Sequence, residues 1–282
     1  MKLVRFGEPG HEKPGLIDTS GAIRDLSGII KDIDGSTLGD DSLARLRALN
    51  PESLPKVAGT PRFGAPVANS PKFIAIGLNY SDHAKESNMP IPKEPVVFSK
   101  ATSCIAGPND TVVLPKGSVK GDWEVELAFV IGKTAKSVPE AEALNYVAGY
   151  MICNDVSERE WQLERGQTWD KGKGFDTFGP VGPWLVTRDE ITDPQNLAMW
   201  LDVNGHRYQS GSTKTMIFFN VARLIAYTSF LFTLQPGDII TTGTPPGVGL
   251  GVKPNPVFLK AGDVMRVGID GLGEQRQDVI GG

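Results

Sequence analysis

Along this chain, apolar residues gather in short runs rich in β-branched side chains, separated by Gly, Pro and polar clusters. Such runs read as strands. In the first fifty residues they fall at Lys2 to Phe6, Gly15 to Asp18 and Ala22 to Leu26, followed by a helix from about Asp40 to Leu49. Residues 51 to 71 carry five prolines and little hydrophobic periodicity. They read as a linker, which makes residues 1–70 a small leading module and 71–282 the main domain. Further strands are expected at Lys72 to Ile76, Val96 to Ser99, Thr111 to Leu114, Trp123 to Ile131, Val147 to Asn154, Trp184 to Thr187, Met199 to Val203, Asp238 to Thr242 and Val264 to Ile269. A short helix suits Ser81 to Asn88. The apolar stretch Thr215 to Leu234 contains Asn220 and Arg223 and stops at Gln235-Pro236-Gly237, so it reads as a buried amphipathic helix and not a membrane span. Many uneven strands, few helices and no βαβ rhythm predict a mixed α+β fold, mainly β, closed or sandwiched.

Composition narrows the functional classes. With 29 basic and 33 acidic residues the formal net charge is -4, which argues against a nucleic-acid partner. Two cysteines, Cys104 and Cys153, and three histidines leave no Cys/His zinc site, and free thiols suit a reducing compartment. The N-terminal residues lack an apolar signal core, so a cytoplasmic protein is expected.

The segment Asp122 to Ile131 carries the strongest chemical signal. Strand alternation places Asp122, Glu124 and Glu126 on one face, while Val125, Leu127, Phe129 and Ile131 draw the strand into a core. Adjacent carboxylates repel, and a hard divalent cation would resolve the conflict; a solvated acidic edge strand is the plainer alternative. A further acid, Asp155, follows the apolar run Tyr146 to Cys153 at a strand-to-helix junction, where Ser157 and Glu160 form an expected capping box. Arg159 and Gln162, three apart, share a helix face beside it. His83 and Glu86 are also three apart, a spacing that lets a carboxylate orient a general base. Lys171 and Lys173 lie in a glycine-containing segment expected to be a flexible loop, from which an ammonium can meet a substrate carboxylate. The stretch Thr241 to Gly249 offers hydroxyls and backbone N–H groups to an anion, but neither a Gly-Lys-Ser/Thr nor a GxGxxG signature accompanies it.

Taken in order, Gly77 to Glu86, Trp123 to Leu127, Asn154 to Arg159, Lys173 to Pro180 and Thr242 to Gly249 resemble the fumarylacetoacetate hydrolase family, over residues 72 to 270. The resemblance implies that family's β-roll in the main domain, a homodimer, and a small-molecule carboxylate substrate. It implies metal ligands at Glu124, Glu126 and Asp155, a base dyad at His83 and Glu86, a catalytic lysine at Lys173, and substrate contacts at Arg159, Gln162 and Thr244. Mg²⁺ or Mn²⁺ is the implied cofactor. Fumarylacetoacetate hydrolase proper has one more acidic ligand before the histidine, where this chain reads Gly77-Leu78-Asn79-Tyr80; three protein carboxylates are therefore expected, with Asp122 either supporting the ligand set from outside it or structural. Within the family the chain is similar to the branch that hydrolyses 2,4-diketo-3-deoxy sugar acids such as L-fuconate or L-rhamnonate derivatives. Ureidoglycolate lyase, an oxaloacetate-type decarboxylase and a catalytically silent binder of metal and small acids are the alternatives.

Overall fold

A computed structural model describes residues 1–82, 92–216 and 220–282. Its largest sheet has eleven strands and runs, from one edge, β3 (Ile23–Asp25), β2 (Lys13–Ile17), β1 (Lys2–Phe6), β13 (Gly179–Thr187), β11 (Val147–Asn154), β10 (Val125–Ile131), β16 (Ile239–Thr241), β5 (Phe73–Gly77) and β6 (Val96–Lys100). Short strands β4 (Phe63–Gly64) and β7 (Ile105–Ala106) join β1 and β13. A second sheet runs β15 (His206–Ser212), β14 (Ala198–Val203), β17 (Val264–Ile269), β18 (Gly273–Gly281) and β8 (Val112–Leu114), and β9 (Gly121–Asp122) pairs with β12 (Ser157–Glu158). This is the expected mixed, mainly β class. Strands β1 to β3 continue the large sheet through the antiparallel pairing of β1 with β13, and β4 lies within the stretch expected to be a linker.

Strands β10 and β11 are buried at every position. A strand covered on both faces reads as a continuous apolar run, and Val125 to Ile131 does so with one exception, Glu126. Polar side chains tie the two sheets together. Buried Gln275 of β18 donates to the carbonyls of Ile152 and Gly182, both at 3.0 Å. Gln209 of β15 accepts from Val125 N at 2.9 Å and donates to Thr244 Oγ1 and the Pro245 carbonyl, both at 2.8 Å. Strands β15 and β18 were not expected, because their polar residues interrupt the apolar pattern; the inward glutamines satisfy backbone groups between layers.

Four α-helices flank these sheets among the described residues: α1 (Asp40–Arg47), α2 (Arg159–Leu163), α3 (Asp170–Lys173) and α4 (Val221–Leu231). Helix α4 buries Val221, Leu224, Ile225, Thr228 and Ser229, one face at helical spacing, and Asn220 caps it by accepting from Arg223 N at 2.8 Å. It is shorter than the apolar stretch that announces it. No helix among the described residues is long and apolar enough to cross a membrane.

Candidate active site

The antiparallel register of β10 and β11 pairs Val125 with Asn154 and Glu126 with Cys153, and Asp155 N donates to the Glu124 carbonyl at 2.9 Å. Glu124, at the entry to β10, and Asp155, at the exit of β11, are therefore neighbours across the ladder. The carboxylates of Glu124, Glu126 and Asp155 offer ligand atoms within 4.8 Å of one another, and all three residues are buried. Burial and the nearby Asp155 and Glu124 push the Glu126 carboxyl well above the usual carboxylate range.

Donors from separate elements clamp each acid. Lys173 Nζ lies 2.7 Å from Glu124 Oε2 and 2.8 Å from Asp155 Oδ2. Arg159 Nη2 lies 2.7 Å from Glu124 Oε1, its Nε donates to Asp122 Oδ2 at 2.7 Å, and its Nη1 donates to Gln162 Oε1 at 2.9 Å. Gly243 N donates to Glu126 Oε2 at 2.9 Å. Gly243 has φ +89°, a left-handed conformation suited to glycine, so the loop read as an anion cradle turns its N–H onto an internal carboxylate. Lys100, at the end of β6, donates to Asp155 Oδ1 and to the Lys173 carbonyl. Burial opposes its charge, but Asp155 together with Cys104 and Cys153 outweighs burial and raises its pKa. A buried, converging set of hard oxygen donors fits a divalent cation.

Several local expectations are corrected. Lys173 is buried at the end of the four-residue helix α3, not carried on a flexible loop. The Ser157–Glu160 capping box does not form. Ser157 Oγ donates to the Asp155 carbonyl at 3.0 Å, and Glu158 caps α2 by accepting from Trp161 N at 2.9 Å. The strand expected from Trp123 to Ile131 begins at Val125, and Asp122 belongs to β9. Asp122 is turned toward Arg159 and the backbone N–H groups of Trp123, Gly249 and Leu250, so it does not share one continuous strand face with Glu124 and Glu126. His83 and Glu86 lie outside the described residues. Lys100 escaped the sequence reading: a lysine closing an apolar strand is ordinarily a solvated strand end, and the one signal was its place directly after Val96 to Ser99.

Glu124 and Glu126 floor a cavity of about 350 Å³. Arg159, Gln162, Lys173 and Thr244 line it with Glu124 and Glu126, while Leu78, Phe98, Leu163, Trp169, Val248 and Leu250 give apolar walls. Thr244 Oγ1 is committed to the Val125 carbonyl at 2.9 Å. Leu78 has φ +52°, uncommon for a residue with a side chain. Trp169 meets Phe98 edge to face at 5.3 Å. The arrangement can hold a small oxygen-rich ligand at the floor and an apolar chain above it.

Fold and site together define an enzyme of the mainly β, divalent-metal class. The profile for the fumarylacetoacetate (FAA) hydrolase C-terminal domain matches residues 72–280, and the chain belongs to that family. A Burkholderia cenocepacia protein named only by the class hydrolase is 67% identical over 277 residues, 98% of each chain. The solved maleylpyruvate hydrolase of Sphingobium sp. SYK-6, in complex with manganese(II) and pyruvate, is 32% identical with a TM-score of 0.82, covering 100% of both chains. The solved 5-carboxymethyl-2-hydroxymuconate delta-isomerase of Mycobacterium smegmatis is 32% identical with a TM-score of 0.76, covering 100% of this chain and 99% of its own.

Proposed function

We propose that this protein is a divalent-metal-dependent hydrolase that cleaves the C3–C4 bond of a 2,4-diketo acid, releasing pyruvate and a second carboxylic acid. The observation that carries the reading is the convergence of Glu124, Glu126 and Asp155 with Lys173, of which Glu124, Glu126 and Lys173 line a partly apolar cavity. Glu124, Glu126 and Asp155 would hold a divalent cation, Mg²⁺ in our reading, which would supply Lewis acidity to the substrate. Lys173 places a fixed ammonium beside the same position, where it stabilises the negative charge that develops on the departing pyruvate fragment. Arg159 and Gln162 orient the substrate carboxylate. His83, oriented by Glu86, takes a proton from water; the hydroxide adds to C4, the C3–C4 bond breaks, and C3 gains the proton.

The resemblance suggests a 2,4-diketo-3-deoxy sugar acid. The described cavity walls are apolar at Leu78, Phe98, Leu163, Trp169, Val248 and Leu250, which suits an acylpyruvate with few tail hydroxyls, because unpartnered hydroxyls are costly to bury. The isomerase relative supports a second reading, in which the same charge forms without attack by water. We further propose a cytoplasmic homodimer, as the sequence suggests.

Product analysis by mass spectrometry decides among these readings. Purified protein, with Mg²⁺ or EDTA, is given sugar-derived diketo acids, simple acylpyruvates, oxaloacetate and ureidoglycolate. Metal-dependent release of pyruvate plus an acid, with one oxygen from labelled water, supports hydrolysis. Product of unchanged mass establishes isomerisation; CO₂ or urea overturns the role given to water.

A further inference from the structure

Lys100 has no part in the reaction just described, yet its side chain is wholly buried. Its ammonium joins two pieces of the site that no backbone ladder connects. One is Asp155 Oδ1. The other is the Lys173 carbonyl, at 2.5 Å. That carbonyl ends helix α3, where the last C=O groups have no partner within the helix and a lysine is a favourable donor. Asp155 is thus held on both oxygens, by Lys100 on Oδ1 and by Lys173 on Oδ2. Lys100 holds the backbone of the residue whose side chain makes the second of these bonds. The loop is closed: β6 fixes the end of α3, α3 aims Lys173, and both lysines aim one carboxylate.

From this geometry we propose that Lys100 is a positioning residue, which sets the orientation of Asp155 toward the divalent cation and the reach of Lys173 toward the substrate. The proposal rests on the metal-site reading above. A cation that merely neutralised Asp155 would need no second acceptor. Partners that orient metal-ligating groups typically change metal affinity about 10- to 100-fold when removed.

The test is Mn²⁺ binding to the purified full chain by isothermal titration calorimetry, beside kcat, KM and Tm, for the wild type, Lys100→Gln and Lys100→Arg. Folded Lys100→Gln should bind Mn²⁺ about 10- to 100-fold more weakly. At saturating Mn²⁺ its kcat should stay lowered about tenfold or more while KM changes less, because Lys173 is misplaced. Lys100→Arg should recover part of the Mn²⁺ affinity. Wild-type affinity and kcat in folded Lys100→Gln, or a lowered Tm alone, overturns the proposal. If Lys100→Gln does not fold, Lys100→Arg decides: a change of about tenfold in Mn²⁺ Kd or kcat supports positioning, and wild-type values in both overturn it. A wild type that binds no Mn²⁺ overturns the metal-site reading itself, a result distinct from equal binding by wild type and variant.

Discussion

Two ionic clusters in this molecule use the same chemistry to different ends. Near the N-terminus, Arg5 donates to both oxygens of Asp32 at 2.7 and 3.1 Å, and Arg62 to both oxygens of Asp110 at 2.6 and 2.5 Å. Arg62 also reaches Glu12 at 2.9 Å. At and beneath the cavity floor, Glu124, Glu126, Asp155 and Asp122 face Lys100, Lys173 and Arg159, with Glu124, Glu126, Lys173 and Arg159 lining the cavity and the others buried behind them. Each cluster holds one more acid than base, so charge count does not distinguish them. Geometry does. The first gives Asp32 and Asp110 a guanidinium fork each at a partly exposed surface, a structural use of charge. The second draws three carboxylates together in the interior, where Glu126 is hydrogen-bonded by a backbone N–H. Glu12 and Glu126 accordingly move in opposite directions. Burial lifts Glu12, but Arg62 and Arg5 outweigh it and leave its pKa lowered; burial and like charge raise Glu126. Convergence of buried carboxylates on one point marks the candidate functional cluster.

The largest expected effect breaks the acidic triad itself. Asp155→Asn in saturating Mg²⁺, or EDTA treatment of the wild type, should lower turnover by about 10³ or more in initial rates, and restored Mg²⁺ should recover only the wild type. Retained activity in both cases would remove the distinction between the clusters. Next, His83→Ala should lower kcat by about 10² to 10⁴ while Mn²⁺ affinity is unchanged, separating the base from the acids that hold the cation.

Stability sharpens the contrast because the signs oppose. Glu12 has a lowered folded pKa, so its contribution is full above about 4.5 and is lost as pH falls through the folded value. Glu12→Gln should cost about 0.5 to 1 kcal/mol at pH 7, since solvent screens these partly exposed ion pairs, and less in acid. Glu126 has a raised folded pKa, so in the metal-free protein stability falls as pH rises above about 4.5 toward the folded value. Glu126→Gln should therefore stabilise EDTA-treated protein at pH 7 by about 1 to 3 kcal/mol, read from denaturant unfolding. Equal signs for the two variants would refute the contrast. The smallest effect concerns the wall: a Cβ at Gly77 would lie 2.2 Å from the Trp169 ring. Gly77→Ala should shift that ring and raise KM about three- to tenfold, with a smaller effect on kcat.

Much of this was legible in the chain because it is local. Val125 to Ile131 and Val147 to Asn154 announce themselves as buried strands by continuous apolar runs, and Glu126 stands out as the one acid within them. Lys173, Arg159 and Gln162 were nameable from their motifs and do line the cavity. The details that depend on neighbours were not. Whether Ser157 or Glu158 caps α2 turns on Glu158 being pinned by Lys120 N at 2.9 Å across β9 and β12, a contact made far along the chain. The polar strands β15 and β18 hide because their inward residues include glutamines that bond between layers, not apolar side chains that alternate.

By itself, then, the sequence determined the β-rich class, the central strand pair and the identities of the acids, since periodicity and residue chemistry are properties of short segments. Only the tertiary structure decided that β1 would extend the same sheet through β13, that Asp122 would turn away to hold Arg159 and the Gly249 loop, and that Lys100 would be buried against Asp155. Each of these is a long-range pairing of polar groups. Its partner is chosen by which donors and acceptors the packed sheets leave unsatisfied, and no window of sequence contains that information.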